Sequence, residues 1–541
     1  MAKSPATFVR EATGLTKQIS GIEALGMALS GMGLLYVFNA SVFTPAFYPD
    51  ANPLVGPLIG LLLILPVAGM YALFSIAMPR TGGDYVWTSR VLNSGTGFVV
   101  NFSLTLLALS TIGSVSPWLS QWSFAPMFYD LGILQHNASY INLANTLLGT
   151  SATFWIAAVA IVGTGLAVAA STKLSGAIVK YWTVLAIIIG LIFVATVLSA
   201  GNSTFQANFN AQYPSVNGTS AYNAVIAAGQ SQYGSYNGVP PVLSTTTLAA
   251  GALGLLGYLG FYYPAYFAGE VKQNRRSQLL AQVGGSVIFM VFVTIIFAVE
   301  YFGEGPAFVN AIAGLWLIGS SANPYLTIPL SSGLSIFWTH NAALIVLFNI
   351  AFAGTIIVMF VSELFVLSRN IFAWSFDRVL PGAFASVNSK TRTPVNAVAV
   401  MVVASLIYLW ISIFQTSYLS VLFSYGTAGT FLAFIFVAVA AIVYPYRRKD
   451  LFATASDEGA KKKYGGIPLI TILGVLSLIV SVYVVYALLA PAIGGPTAGS
   501  VLEEGILPTF VLGIVIYVIA YVARRGQGIN LNLISQEIPP E

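Results

Sequence analysis

Few residues of this 541-residue chain are equipped for chemistry. There is no cysteine, which removes disulfides, thiolate metal sites and thiol nucleophiles together. The two histidines, His136 and His340, fall near the ends of apolar stretches, so neither a zinc nor a haem site is expected and no cofactor is implied. No GxxxxGKS or GxxxxGKT phosphate loop occurs, which argues against an ATP-driven machine. Ionisable residues inside long apolar stretches are costly and are functional suspects by default. Here they are Glu23, Glu300 and Glu363. Each also has a plain reading as a side chain that reaches an interface or pairs with an arginine. Glu23 lies one turn inside the first stretch, Glu300 near the outer end of the seventh and Glu363 about one turn from the inner end of the eighth. Thr355, in the same stretch as Glu363, either lines an ion site or bonds to its own helix.

The backbone offers more than the side chains do. Leu253–Glu270 carries no charge before its last residue, and with the apolar residues before it reaches the roughly 20 residues that span a bilayer core. Gly251, Gly254, Gly257, Gly260 and Pro264 make it a poor continuous helix. In the first apolar stretch, Gly21–Thr44, the same is done by Gly21, Gly26, Gly31 and Gly33. Two glycine-interrupted spans at corresponding positions in two halves of a membrane protein mark the central site of a carrier.

The elements that position this pair follow from composition. Hydrophobic residues make up 57% of the chain and charged residues 7%, against roughly 25% charged in a soluble domain. Long apolar blocks without strand alternation predict an all-α integral membrane protein. Twelve spans are expected, at 21–46, 54–78, 95–127, 152–171, 176–199, 247–268, 280–302, 340–367, 394–414, 418–445, 467–490 and 506–523. An even number puts both termini on one side. All 22 Lys and Arg fall in segments on that side, so the positive-inside rule makes it cytoplasmic. The net charge of +5 is accounted for in this way and implies no nucleic-acid partner. A basic N-terminal arm, 1–20, is expected to be retained, with a basic loop at 446–466 and a tail at 524–541. On the opposite side 200–246 reads as an uncharged outer loop, and 303–339 as a short helical lid over an outer vestibule. Asn137, Asn202 and Asn217 begin acceptor sequons there.

Three motifs sit on the basic face. Pro79-Arg80-Thr81-Gly82-Gly83-Asp84-Tyr85 closes the second span: Pro79 ends the helix, the glycines allow a tight turn and Asp84 can cap the next helix. Gly269–Asn274 reads GEVKQN. Ser368–Pro381 links spans eight and nine, with Arg369 and Asp377 eight apart on one side of a helix, free to pair with each other or with a neighbouring loop, or to anchor at headgroups. Together, in this order and spacing from about residue 20 to 450, the motifs resemble the amino acid–polyamine–organocation (APC) transporter superfamily.

That resemblance implies a LeuT-type 5+5 inverted repeat, residues 21–199 and 247–445, plus two additional helices within 467–523. It implies that the freed amides around Ser30-Gly31-Met32-Gly33, with Met27 one turn before, hold a substrate carboxylate, as a half-helix N-terminus suits an anion. In the sixth span Tyr258, Leu259, Gly260, Phe261 and Tyr262 align with the family's broken segment, where freed carbonyls suit an ammonium. Small residues and aromatics at these positions are equally the material of helix packing. Tyr262 stands where many relatives carry an acid, and the lysine that some proton-coupled relatives place midway along span five is absent at 186–189, with Lys180 two turns away.

The resemblance thus implies a secondary transporter of the plasma membrane, multi-pass, with a small-molecule substrate, no obligatory protein partner and a coupling ion, H+ or Na+, left open among Thr355, Glu23 and Glu363. With no acid or base read near the breaks, a substrate side-chain charge would find no counter-ion, and a neutral, apolar amino acid is expected. Symport and antiport both remain open. The rival readings are a carrier of an amine, polyamine or nucleobase, and a non-transporting amino acid sensor on the same fold.

Overall fold

The computed structural model describes residues 15–34, 37–325, 328–415, 419–455, 459, 461–489, 501–534 and 536. The first fourteen residues of the basic arm, with Lys3 and Arg10, lie outside them, as do 537–541 of the tail and 490–500 before the last span.

Among the described residues the chain is nearly all helix, and ten helices are long and apolar enough to cross a membrane. The expected spans one and six are not among the ten because each is broken into pieces too short to cross. Span one consists of α1 (Gly21–Met32) and α2 (Val37–Phe47). Ser20 and Glu23 form a reciprocal capping box at the start of α1, each bonding the other's backbone N–H, and Gly33 ends it with φ +71°. Then come α3 (Gly56–Ala77), the short α4 (Asp84–Val91) and α5 (Ser94–Val115), which runs through a wide turn into α6 (Ala125–Leu134). Next are α7 (Ala138–Leu148), α8 (Thr150–Ala170) and α9 (Thr172–Gln212).

The segment 200–246 is largely helical. α9 bends at Gly201, where φ is +71°, continues to Gln212, and is followed by α10 (Ala221–Gln232). A stretch of nearly fifty residues without structure is rare in a compact domain, and hydropathy does not register polar helices.

Span six consists of α11 (Thr245–Gly254), a 3-10 turn at Leu255–Tyr258, and α12 (Tyr263–Tyr266). It is followed by α13 (Asn274–Gln278), α14 (Gly285–Glu304) and α15 (Pro306–Leu317). α15 buries Phe308–Leu315 and sets Trp316 against Phe43 of α2, with ring centroids 6.1 Å apart, so it covers the half of span one remote from the basic loops. α16 (Ala342–Phe376) runs nine residues beyond the expected end of span eight. α17 (Val395–Phe414), α18 (Leu419–Arg447), α19 (Lys449–Thr454), a two-residue hairpin of β1 (Lys463–Tyr464) and β2 (Ile467–Pro468), α20 (Leu469–Leu489), α21 (Leu507–Gly526) and α22 (Leu531–Ile534) complete the chain.

Candidate functional site

The two broken spans meet at their breaks. A Cβ on Gly31 would lie 2.5 Å from Tyr263 Cε2 and 2.8 Å from Gly260 Cα, and a Cβ on Gly260 would fall on the Gly31 carbonyl carbon and the Met32 nitrogen. Only glycine at both positions lets the two backbones touch. The spans are also stitched at their base, where Ile19 and Gln18 N–H both donate to Glu270 O at 3.0 Å and Lys272 N–H donates to Ile19 O at 2.8 Å.

Ser30, Gly31 and Met32 belong to the last turn of α1, so they present its carbonyl end to the break. Gly33 N–H donates to Leu29 O and Ser30 O. The amide end of the second half begins at Val37. The anion-binding polarity expected around Ser30–Gly33 therefore belongs to α2, and the residues before Gly33 are of the sign that suits a cation.

Beside the contact lies a cavity that opens to one side. Gly31, Met32, Gly33, Leu259 and Tyr262 line it. Of the other residues aligned with a binding role, Met27, Ser30, Tyr258, Gly260 and Phe261 stand behind this wall. Met27 is fully buried. Ser30 Oγ lies 3.1 Å from Met27 O and 2.5 Å from Ser362 Oγ, joining α1 to α16. The Tyr258 hydroxyl donates to Pro57 O at 2.6 Å. Phe261 packs edge-on against Tyr71 and Phe434.

Tyr263 of α12 adds to the cavity wall, and the remaining lining comes from three unbroken helices, of which the sequence reading singled out Glu363 alone. Leu107, Ala108, Thr111, Ser114 and Val115 form one face of α5, Met359 and Glu363 are one turn apart on α16, and Gly426 and Thr430 one turn apart on α18. The usable signal was the run of small and hydroxyl residues at helical spacing in span three. The α5 and α18 positions lie in the halves of those helices remote from the basic loops.

Glu363 is the main correction. Because α16 continues to Phe376, Glu363 sits thirteen residues from the helix end, about 20 Å at 1.5 Å per residue, and not one turn from it. It is 2% exposed, forms part of the cavity wall, and has Oε2 without a hydrogen-bond partner among the described residues. Tyr263 lines the same cavity. The premise that no acid lies near the breaks is thus overturned. The other coupling candidates are placed differently. Glu23 is held in the capping box, with Oε2 2.7 Å from Ser20 N and 2.8 Å from Ser20 Oγ. Thr355 donates to Ala351 O of its own helix at 3.0 Å and accepts from Trp182 Nε1 at 3.3 Å.

Toward the basic loops the path from the cavity is filled. Tyr262 packs against Tyr71, Tyr263, Tyr266 and Phe434. Beneath this plug, Asp84 accepts from Tyr71 at 2.8 Å, Tyr266 at 2.9 Å and Asn101 at 2.6 Å. Gly83 takes the N-cap position expected of Asp84. Burial raises the Asp84 carboxyl above its ordinary value, and these donors oppose the rise.

Arg369 and Asp377 do not pair with each other. Arg369 grips Glu270 through Nε at 3.0 Å and Nη2 at 3.1 Å, while Arg90 grips Asp377 at 2.5 and 2.9 Å, with the Tyr85 hydroxyl donating to the same acid at 2.9 Å. Neither arginine is at a headgroup position, and both are buried. The Pro79–Gly83 turn joins the closure. Arg80 Nη1 donates to Pro79 O at 2.9 Å, Gly82 N–H donates to Tyr266 O at 2.9 Å, and Gly82 (φ +105°) lies so close to α16 that a Cβ would be 2.6 Å from Ala373 Cβ.

Among known families, a model described as amino acid permease matches this chain over residues 19–519.

Proposed function

Since the chain belongs to the amino acid permease family, whose members are transporters and not enzymes, we propose that it moves a neutral, apolar amino acid across the plasma membrane as a secondary active transporter. The observation that carries this reading is the backbone contact of Gly31 with Gly260 beside the cavity. The contact sets the carbonyl end of α1 at the cavity wall, a polarity that suits an α-ammonium, and the amide end of α2, which follows in the chain, has the polarity that suits an α-carboxylate. Leu107, Val115, Leu259 and Met359 leave apolar wall for the side chain, and no basic side chain lines the cavity among the described residues. Glu363 supplies one negative group, enough for one ammonium; a lysine or arginine side chain would bring a second cation with no partner.

Closure by Arg369–Glu270 and Arg90–Asp377 on one side, with the cavity on the other side of the breaks, fits one end-state of alternating access. The excess of basic residues in the loops makes the closed side cytoplasmic. The test is counterflow in proteoliposomes preloaded with mixed neutral amino acids. Transient accumulation of labelled leucine, competed by leucine, alanine and phenylalanine, is expected. Stronger competition by arginine, lysine or a polyamine would overturn the substrate class, and ligand binding without flux would indicate a sensor. Glu363 lends weight to one rival, a simple organic amine, and the same competition experiment separates it.

A further inference from the structure

We propose that Glu363 holds either a proton or the ammonium of the bound substrate, never both, so that the protein exchanges protons for amino acid in opposite directions. This rests on the cavity being the substrate site. The geometry is specific to this acid. Its carboxyl is on the cavity wall, 2% exposed, with Oε2 lacking a partner among the described residues. The titratable groups facing it are the Tyr263 and Tyr262 hydroxyls from the second break. Among the described residues, α1, α5 and α18, which complete the cavity, contribute no acid or base to its lining. The next carboxyl, Asp84, lies beyond Tyr262 and is engaged by three donors of its own.

A carboxylate taken out of water is strongly disfavoured unless it is neutralised. Here two species can do so, a proton or a substrate ammonium arriving beside the carbonyl end of α1. Ser30 and Ser362, joined at 2.5 Å, hold that helix end against the turn of α16 that carries Glu363. When the ammonium enters, the carboxyl O–H bond breaks, its electron pair stays on the oxygen, and the proton leaves to water on the side from which the substrate came. On the other side the substrate departs and a proton returns. A carrier that crosses with one passenger or the other couples the two gradients as an antiporter.

The experiment uses the full-length protein in nanodiscs and L-leucine as the probe. Affinity is measured from pH 5.5 to 8.5, and proton release on leucine addition is read with an indicator dye in weak buffer. The wild-type protein is expected to bind leucine more tightly as pH rises, approaching about tenfold per pH unit for one displaced proton, and to acidify the medium on binding. Glu363→Gln, which mimics the protonated acid, should bind at every pH with the weak affinity of the wild type at its acidic limit and release no proton. The α-hydroxy analogue of leucine, lacking the ammonium, should release none from the wild type, an outcome independent of whether the variant folds. Binding that is flat with pH, or that tightens on acidification, would overturn the exchange while leaving the transport reading intact. Absence of leucine binding and counterflow at every pH would overturn both.

Discussion

On either side of the Gly31–Gly260 contact the protein buries carboxyl groups of similar exposure, 1–4%, and treats them differently. Toward the basic loops, Glu270 and Asp377 each meet an arginine and Asp84 meets three neutral donors. On the cavity side Glu363 shares the cavity wall with Tyr263 and has an oxygen with no hydrogen-bond partner among the described residues. A buried ion pair that is fully bonded is a latch whose removal leaves an uncompensated charge. A buried acid with spare valence is a receptor for whatever cation arrives. Among these four carboxyls, closure and binding are thus separated by partners and by access to the cavity, not by residue type or depth.

The comparison can be broken most completely at the contact itself. Gly260→Ala places a methyl on the Gly31 backbone, which has no rotamer to yield. Leucine uptake in proteoliposomes is expected to fall to background even where size-exclusion chromatography still shows a monodisperse protein. Wild-type-like uptake would show that the two breaks need not touch.

The next largest effect tests the latch. Arg369→Ala strands Glu270, and a loss of about 3–5 kcal/mol is expected, read as a lowered midpoint in thermal unfolding. The double change Arg369→Met with Glu270→Leu should recover most of it, because two apolar groups need no partner. If Arg369→Ala costs no more than Glu363→Gln, the distinction between paired and receptive acids is wrong.

Smaller again is Tyr266→Phe, which takes one of three donors from Asp84. A loss of about 1–3 kcal/mol is expected, and a shift within error would mean that Tyr71 and Asn101 suffice. The smallest effect sharpens the comparison from the other side. Glu23→Gln keeps a capping-box acceptor, so unfolding should move by only a few tenths of a kcal/mol and leucine-driven proton release should be unchanged. Loss of proton release there, with Glu363→Gln still releasing, would transfer the exchange site to Glu23.

Local properties carried much of this into the sequence. The glycine spacing of 21–33 and 251–260 marked both breaks, since an interrupted helix is a fact of neighbouring residues. The PRTGGD turn was legible as a turn from Pro79, Gly82 and Gly83 alone. The polarity of the first break was misjudged because it depends on which side of Gly33 the helix ends. The helical content of 200–246 was invisible to hydropathy.

By itself, then, the sequence determined that the chain is a helical membrane protein with two interrupted spans, because apolar run length and glycine placement are read residue by residue. Tertiary structure alone decided that Gly31 meets Gly260, that Arg369 holds Glu270 and not Asp377, and that Glu363 faces a cavity and not an interface. Each of these joins residues tens to hundreds of positions apart. The partner of a buried charge is set by how helices pack, and so is whether an acid near a hydropathy boundary lines a cavity.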